Sequence, residues 1–327
     1  MKGESTTLWC GILISFGMLV VLGCEPPPDN EGTDDNPIGS GGQPLTLIEP
    51  TPEMLANEYV PTPGGQRVHR SCVYEVENRG TPKQESACAY KPGPTESATA
   101  AMTDAASDVP DPTISWAWYA YSYKTTPASP GWYDGASALW SVPNNPAHDD
   151  GQTLYYFPGF QNTTGSRTTI IQPVLGYHGG TWSIASWWGP DASGNYYHSP
   201  FITVYPGDTL SGHMYGDSCT SAGVCTWDIS TIRWVTGEST TMTINTGFTY
   251  DWAAPWVEEV YSITRCSNFP SNSPISAQTQ LFVGPNNVQD TGTWSHTTYS
   301  STSPNCRPRV TISPNPGTTS IAQWRWP

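Results

Sequence analysis

No stretch of this chain places apolar residues at the 3.6-residue spacing of a long amphipathic helix. From Thr113 onward, short aromatic and β-branched runs alternate with Gly, Pro and Asn turns. Ser115–Tyr123 puts Trp116 and Trp118 on one face and Tyr119, Tyr121 and Tyr123 on the other. Further strands are predicted over Ala136–Val142, Thr153–Phe157, Thr168–Tyr177, Thr181–Trp188 and Tyr197–Val204. The series continues with Thr209–Tyr215, Cys225–Ser230, Thr240–Asn245, Trp256–Ile263 and Ala277–Val283. Gly179-Gly180 and Pro206-Gly207-Asp208 are turns by residue chemistry. About eleven strands with turns every 8–12 residues indicate an all-β sandwich or barrel.

The N-terminus is of another kind. One basic residue, Lys2, precedes an apolar run from Leu8 to Leu22. That run falls short of the ~20 residues a membrane-spanning helix needs and reads as a signal-peptide core. It ends in Val21-Leu22-Gly23-Cys24, which resembles the lipobox of bacterial lipoproteins. The resemblance implies cleavage after residue 23, a diacylglycerol on Cys24, and an exported protein anchored at the outer membrane or cell surface. Glu25 to Gln43 has almost nothing to bury and reads as a disordered tether, so 24–44 is a linker. Residues 45–111 then form a small N-terminal region, either a pro-segment or a hairpin. Within it Gln66–Val76 alternates like a strand that Cys72 and Cys88 close into a stapled hairpin, and Glu96–Asp108 is a linker or short helix. Residues 112–327 form the β domain.

The formal charge of −15, with only 13 Lys and Arg, argues against a nucleic-acid partner, because phosphate binding needs a basic surface. Of eight cysteines, Cys10 leaves with the signal and Cys24 is the anchor. Six remain in an oxidising compartment, and sequence order suggests Cys72–Cys88, Cys219–Cys225 and Cys266–Cys306, the simplest of the possible pairings. No cysteine pair has zinc spacing, and His178, His198 and His213 show no helical i, i+4 arrangement, so no metal or cofactor is expected. A monomer is expected. There is no G-x-S-x-G nucleophile elbow.

The order of motifs resembles the glutamic peptidases, the eqolisin family of concanavalin-like β-sandwiches. Ala138 to Pro143 (ALWSVP) is similar to the family's "W-(T/S)-V-P" strand. Leu154 to Phe160 (LYYFPGF) takes the place of its "A-W-V-G-I" strand, with Tyr155-Tyr156-Phe157 where the Trp stands. Ile170-Ile171-Gln172-Pro173-Val174 resembles its "I-L-Q-x-G" strand. Ile184 to Pro190 (IASWWGP) sits where the family has "A-W-Y-E-W", without the acidic residue. Tyr205 to Thr209 (YPGDT) resembles its "G-D" turn, and Trp256-Val257-Glu258-Glu259 its "W-I-V-E" strand.

The resemblance implies two antiparallel sheets in a jelly-roll sandwich, a polypeptide substrate, acid-side activity and a catalytic pair, Gln172 and Glu259. A carboxylate in a desolvated groove serves as general base to water, and a Gln amide donates to the oxyanion without carrying charge. Register decides which glutamate is meant: Glu259 shares a face with Val257 and Tyr261, Glu258 with Trp256 and Val260, and a one-residue slip exchanges them. Tyr156, Trp187 and Trp188, with Tyr196 and Tyr197, are candidates to line a substrate groove. Two other functions suit the same fold. One is a carbohydrate-binding or glycan-acting module, which for hydrolysis needs two carboxylates flanking the groove. The other is a non-catalytic surface protein.

Overall fold

The computed structural model describes residues 47–93, 120–124, 131–163, 168–271, 274–285, 287–298, 306, 308–313 and 317–323. Cys24, the segments 1–23 and 24–44, Glu96–Asp108, Trp116 and Trp118 lie outside the described residues. Among the described residues no helix is long and apolar enough to cross a membrane.

A short helix α1 (Pro52–Asn57) precedes β1 (Tyr59–Thr62), β2 (Gln66–His69) and β3 (Val73–Glu75). The β domain follows as β4 (Ala120–Lys124), β5 (Tyr133–Ser141), β6 (Thr153–Gln161), β7 (Ile170–His178) and β8 (Thr181–Gly189). Next come β9 (Tyr196–His198), β10 (Ile202–Val204), β11 (Thr209–Asp217), β12 (Val224–Arg233), β13 (Glu238–Thr249) and β14 (Trp252–Tyr261). The last are β15 (Ile275–Val283), β16 (Val288–Gln289), β17 (Ser295–Thr298), β18 (Pro308–Ser313) and β19 (Gly317–Gln323).

Two large sheets form a sandwich. One runs β17-β4-β14-β6-β7-β8-β9-β3, with β10 also on β8; the other runs β13-β12-β11-β5-β15-β19-β18, with β16 beside β15. The strands pair antiparallel except β3 on β9, which is parallel. The expected strand Tyr197–Val204 is two strands, because Pro200 has no N–H for a ladder. Strands β17 to β19 lie beyond the last expected one, in Ser/Thr-rich sequence with little apolar alternation.

Inward-facing residues of the two sheets meet as a core. Trp140, Tyr156, Trp182, Trp256 and Val260 share one cluster; Tyr133, Phe160, Trp227 and Tyr250 share the other. Burying each ring contributes about 2–3 kcal/mol. The sheets come close enough at Gly212 that an added Cβ would lie 2.6 Å from Pro173 Cγ. A third cluster, including Phe157, Ile170, Val174, Trp187 and Val257, draws only on β6, β7, β8 and β14. It is the opposite, outward face of the first sheet.

Part of that outward face lies under a hairpin. β1 and β2 pair from Tyr59↔His69 to Thr62↔Gln66, with Pro63, Gly64 and Gly65 as the tip. The expected single strand Gln66–Val76 is therefore corrected: it bends at a 3₁₀ turn, Arg70–Cys72, where the His69 side chain accepts from Ser71 N–H. The hairpin partner is the upstream run Tyr59–Thr62, and Cys72–Cys88 does not close it. Cys88 instead lies beside the β8–β9 connection, its N–H donating to Ser193 C=O. All three expected disulfides are present: Cys72–Cys88, Cys219–Cys225 and Cys266–Cys306. Asn36–Pro327 behaves as one compact unit, so hairpin and sandwich belong together.

Cys266–Cys306 closes the longest loop, with a separation of 40 residues. Replacing both with Ser is expected to cost about 4 kcal/mol on a chain-entropy argument. Urea unfolding under oxidising conditions measures this, and an unchanged midpoint would contradict it.

Candidate active site

Alternation along β14 separates the two glutamates. Trp256, Glu258 and Val260 point into the sandwich, while Val257, Glu259 and Tyr261 point outward beneath the hairpin. Glu258 is fully buried between the sheets and accepts from Tyr156 Oη at 2.7 Å. The register pairs Glu258 with Tyr156 and Glu259 with Tyr155 on β6. The structure thus puts Glu259, not Glu258, on the outward face.

Glu259 is fully buried as well, yet its carboxylate is well supplied with donors. Gly64 N–H donates to Oε2 at 2.9 Å and Gly65 N–H to Oε1 at 3.0 Å. Tyr261 Oη donates to Oε1 at 2.7 Å. Two successive N–H groups converge on one anion because Gly64 and Gly65 both have positive φ, +111° and +90°. A side chain at position 64 would be strained, and its Cβ would lie 3.1 Å from Ile170 Cγ2. Burial pushes the Glu259 carboxyl up to about 7, against the lowering effect of the Gly64, Tyr261 and Gly65 hydrogen bonds. Burial, and then the Glu259 charge, hold the Tyr155 and Tyr261 phenols protonated well above their ordinary range.

Gln172 stands on β7 with Ile170 and Val174 on its face, while Ile171 turns into the core. Its Nε2 donates to Pro63 C=O at 2.7 Å. Its Oε1 is buried without a donor among the described residues. Gln172 and Glu259 therefore hold the two ends of one peptide unit, the Pro63 oxygen and the Gly64 nitrogen. Around them Tyr155 Oη donates to Pro61 C=O at 3.0 Å, Tyr261 Oη lies 2.9 Å from Thr62 C=O, and Tyr196 Oη donates to Gln66 Oε1.

A cavity of about 370 Å³ continues from the hairpin across β6, β7 and β8. Val60 and Pro61 form one wall; Tyr155, Val174, Trp187 and Phe201 are among the residues opposite. Of the expected groove residues, Trp187 lines this cavity. Two expectations are corrected. Tyr156 is a core residue packed against Trp182 and Trp256, and Trp188 faces inward and stacks on Tyr197. Both corrections have one cause: neighbours in a strand face opposite ways. Tyr196 faces the hairpin, whereas Tyr197 donates to Asp191. Among the described residues no group of His, Cys, Asp and Glu could hold a metal ion.

The sequence reading missed Thr62 to Gln66, the segment in the site. Its signal is present: Pro63-Gly64-Gly65 between two short runs is turn chemistry of the kind that joins a hairpin.

No family model matches the chain, and no curated protein matches it. Solved structures do. A crystal structure of Scytalido-glutamic peptidase with a peptide-based transition state analog is 14% identical, with TM-score 0.44, over 63% of this chain and 98% of that one. SCP-B, a member of the eqolisin family of peptidases in complex with the tripeptide Ala-Ile-His, is 13% identical, with TM-score 0.44, over the same shares. The residue roles here rest on this chain's own geometry.

A carboxyl raised from its ordinary 4.5 to about 7 binds its proton more tightly folded than unfolded. Its contribution to stability is complete below about 4.5 and is lost as pH rises through about 7. Wild type is therefore expected to lose a few kcal/mol relative to Glu259→Gln across that window. Thermal melts of both chains from pH 4 to 8 measure the difference, and a constant offset would refute the assignment.

Proposed function

We propose that the chain is a glutamic-endopeptidase-like hydrolase, with Gln172 and Glu259 acting on a peptide bond. One observation carries this: the pair grips a peptide unit at both of its polar ends, Gln172 at the carbonyl oxygen and Glu259 at the nitrogen. In hydrolysis negative charge develops on that oxygen and the nitrogen must gain a proton. A neutral amide donor and a carboxyl are the groups those two atoms require.

The steps follow. A substrate strand lies where β1 and the tip lie, with the scissile carbonyl on Gln172 Nε2. Glu259 takes a proton from water, the hydroxide oxygen bonds to the carbonyl carbon, and the carbonyl π electrons move onto the oxygen held by Gln172. Collapse of that intermediate breaks the C–N bond as Glu259 returns the proton to the leaving nitrogen. Gln172 Oε1, without a donor among the described residues, can accept from the attacking water. A group that takes and returns one proton works best near its own pKa, which for Glu259 places the optimum near pH 7. The apolar cavity beside Pro61 suits an apolar side chain on the acyl side of the cut. The glycan-hydrolase alternative needs two carboxylates facing one groove, whereas Glu258 is turned into the core.

This reading extends to address: Cys24 carries the lipid that holds the hydrolase outside a bacterial membrane. Three disulfides agree with an oxidising compartment.

The test is cleavage of denatured protein by the full chain over pH 2–8, with long incubation. Gln172→Ala is expected to lose about 100-fold and Glu259→Gln at least as much. Undiminished cleavage in Glu259→Gln would end the mechanism. Cys24→Ser is expected to release the protein from membranes to the soluble fraction, and continued membrane partition would end the anchor assignment.

A further inference from the structure

The hairpin tip occupies every position that a substrate backbone would use. Pro63 places its carbonyl oxygen on Gln172; Gly64 and Gly65 place their N–H groups on both oxygens of Glu259. With Tyr261 also on Oε1, the carboxylate has three protein donors and no exposed surface. Gly65 and Tyr261 fill Oε1, Gly64 takes Oε2, and beneath the whole hairpin the carboxylate has no surface through which bulk water could reach it. The tip is bound like a substrate yet denied the nucleophile. Its stem is held independently of the pair: Arg67 Nη2 donates to Ser262 Oγ at 3.0 Å, and the guanidinium lies 5.6 Å from the Tyr261 ring centroid.

We infer that the β1–β2 hairpin is a built-in competitive inhibitor, and that the chain as folded is latent until the Thr62–Gln66 tip leaves Glu259 and Gln172. This rests on the hydrolase reading for its consequence. The closure itself rests only on the contacts above. Gly-Gly is central to it, since both positions have positive φ and a Cβ on Gly64 would come within 3.1 Å of Ile170 Cγ2.

The test compares the full chain with a variant carrying Gly64→Val and Gly65→Val, both checked for the sandwich's circular dichroism. Cleavage of a reporter peptide is expected to rise at least about tenfold in the variant and to vanish when Glu259→Gln is added. Arg67→Ala, which leaves the tip sequence intact, is expected to give a smaller rise in the same direction; it decides the matter if the double variant does not fold. Equal, measurable cleavage by wild type and variants would overturn the inhibitor and leave the hydrolase standing. A cut between Pro63 and Gly64 on incubation of wild type, seen by intact mass, would also overturn it, because the tip would then be a substrate. If no chain cleaves at any pH, the hydrolase reading fails and binding decides the closure. A labelled peptide spanning Val60–His69 is expected to bind the tip variants and not wild type; binding to both or to neither would overturn it.

Discussion

Two consecutive residues on a β-strand cannot face the same way, and at Glu258-Glu259 this decides the chemistry of the molecule. One carboxyl enters the sandwich and finds Tyr156. The other emerges on the far side of the sheet, where the hairpin covers it and withholds water. A carboxyl so placed demands donors, because an unpaired buried charge costs several kcal/mol. Tyr261, two residues on, supplies one from the same strand face. The remaining two come from the Gly64-Gly65 backbone. The seating of the hairpin and the position of the Pro63–Gly64 peptide both follow from satisfying that one group, while its burial keeps the Glu259 pKa raised against those donors.

Much of this was legible in the sequence where period-two alternation is strong. The strands from Ala136 to Val283 fall close to expectation, as do the faces shared by Glu259 with Val257 and Tyr261 and by Gln172 with Ile170 and Val174. The same rule would have kept only Trp187 of Trp187-Trp188 for the groove and put Tyr155 there in place of Tyr156. Their aromatic character says they are buried; only their parity says on which side. Strands β17 to β19 were not legible because their Ser- and Thr-rich sequence carries little apolar signal. The hairpin was half legible: the alternation of Gln66 to Val76 marked a strand, but not the turn at Arg70–Cys72 or the partner upstream of Pro63.

The bonds that seat the tip go almost entirely to main-chain atoms. Tyr155 and Gln172 donate to the carbonyls of Pro61 and Pro63, and Tyr261 Oη lies 2.9 Å from that of Thr62 between them. Recognition of this kind fixes direction and register while remaining indifferent to side chains. Selectivity then falls to the apolar cavity beyond Val60 and Pro61, where Trp187 and Phe201 meet whatever a bound strand projects. On the proposed reading the groove divides its work between an aromatic and amide rail for the backbone and a separate pocket for identity.

The disulfide from Cys72 to Cys88 gives the hairpin a further property. It pins the chain three residues beyond β2 to the region beside the β8–β9 connection, and β3 continues from there along the sheet edge. A tip that lifts away stays on a short leash and samples a small volume around the groove. Its effective concentration there is on the order of millimolar. In the hydrolase proposed above, a polypeptide arriving from solution competes against that local dose, so a dilute one is excluded while a dense or multiply attached one gains entry, and the link sets a threshold in substrate concentration.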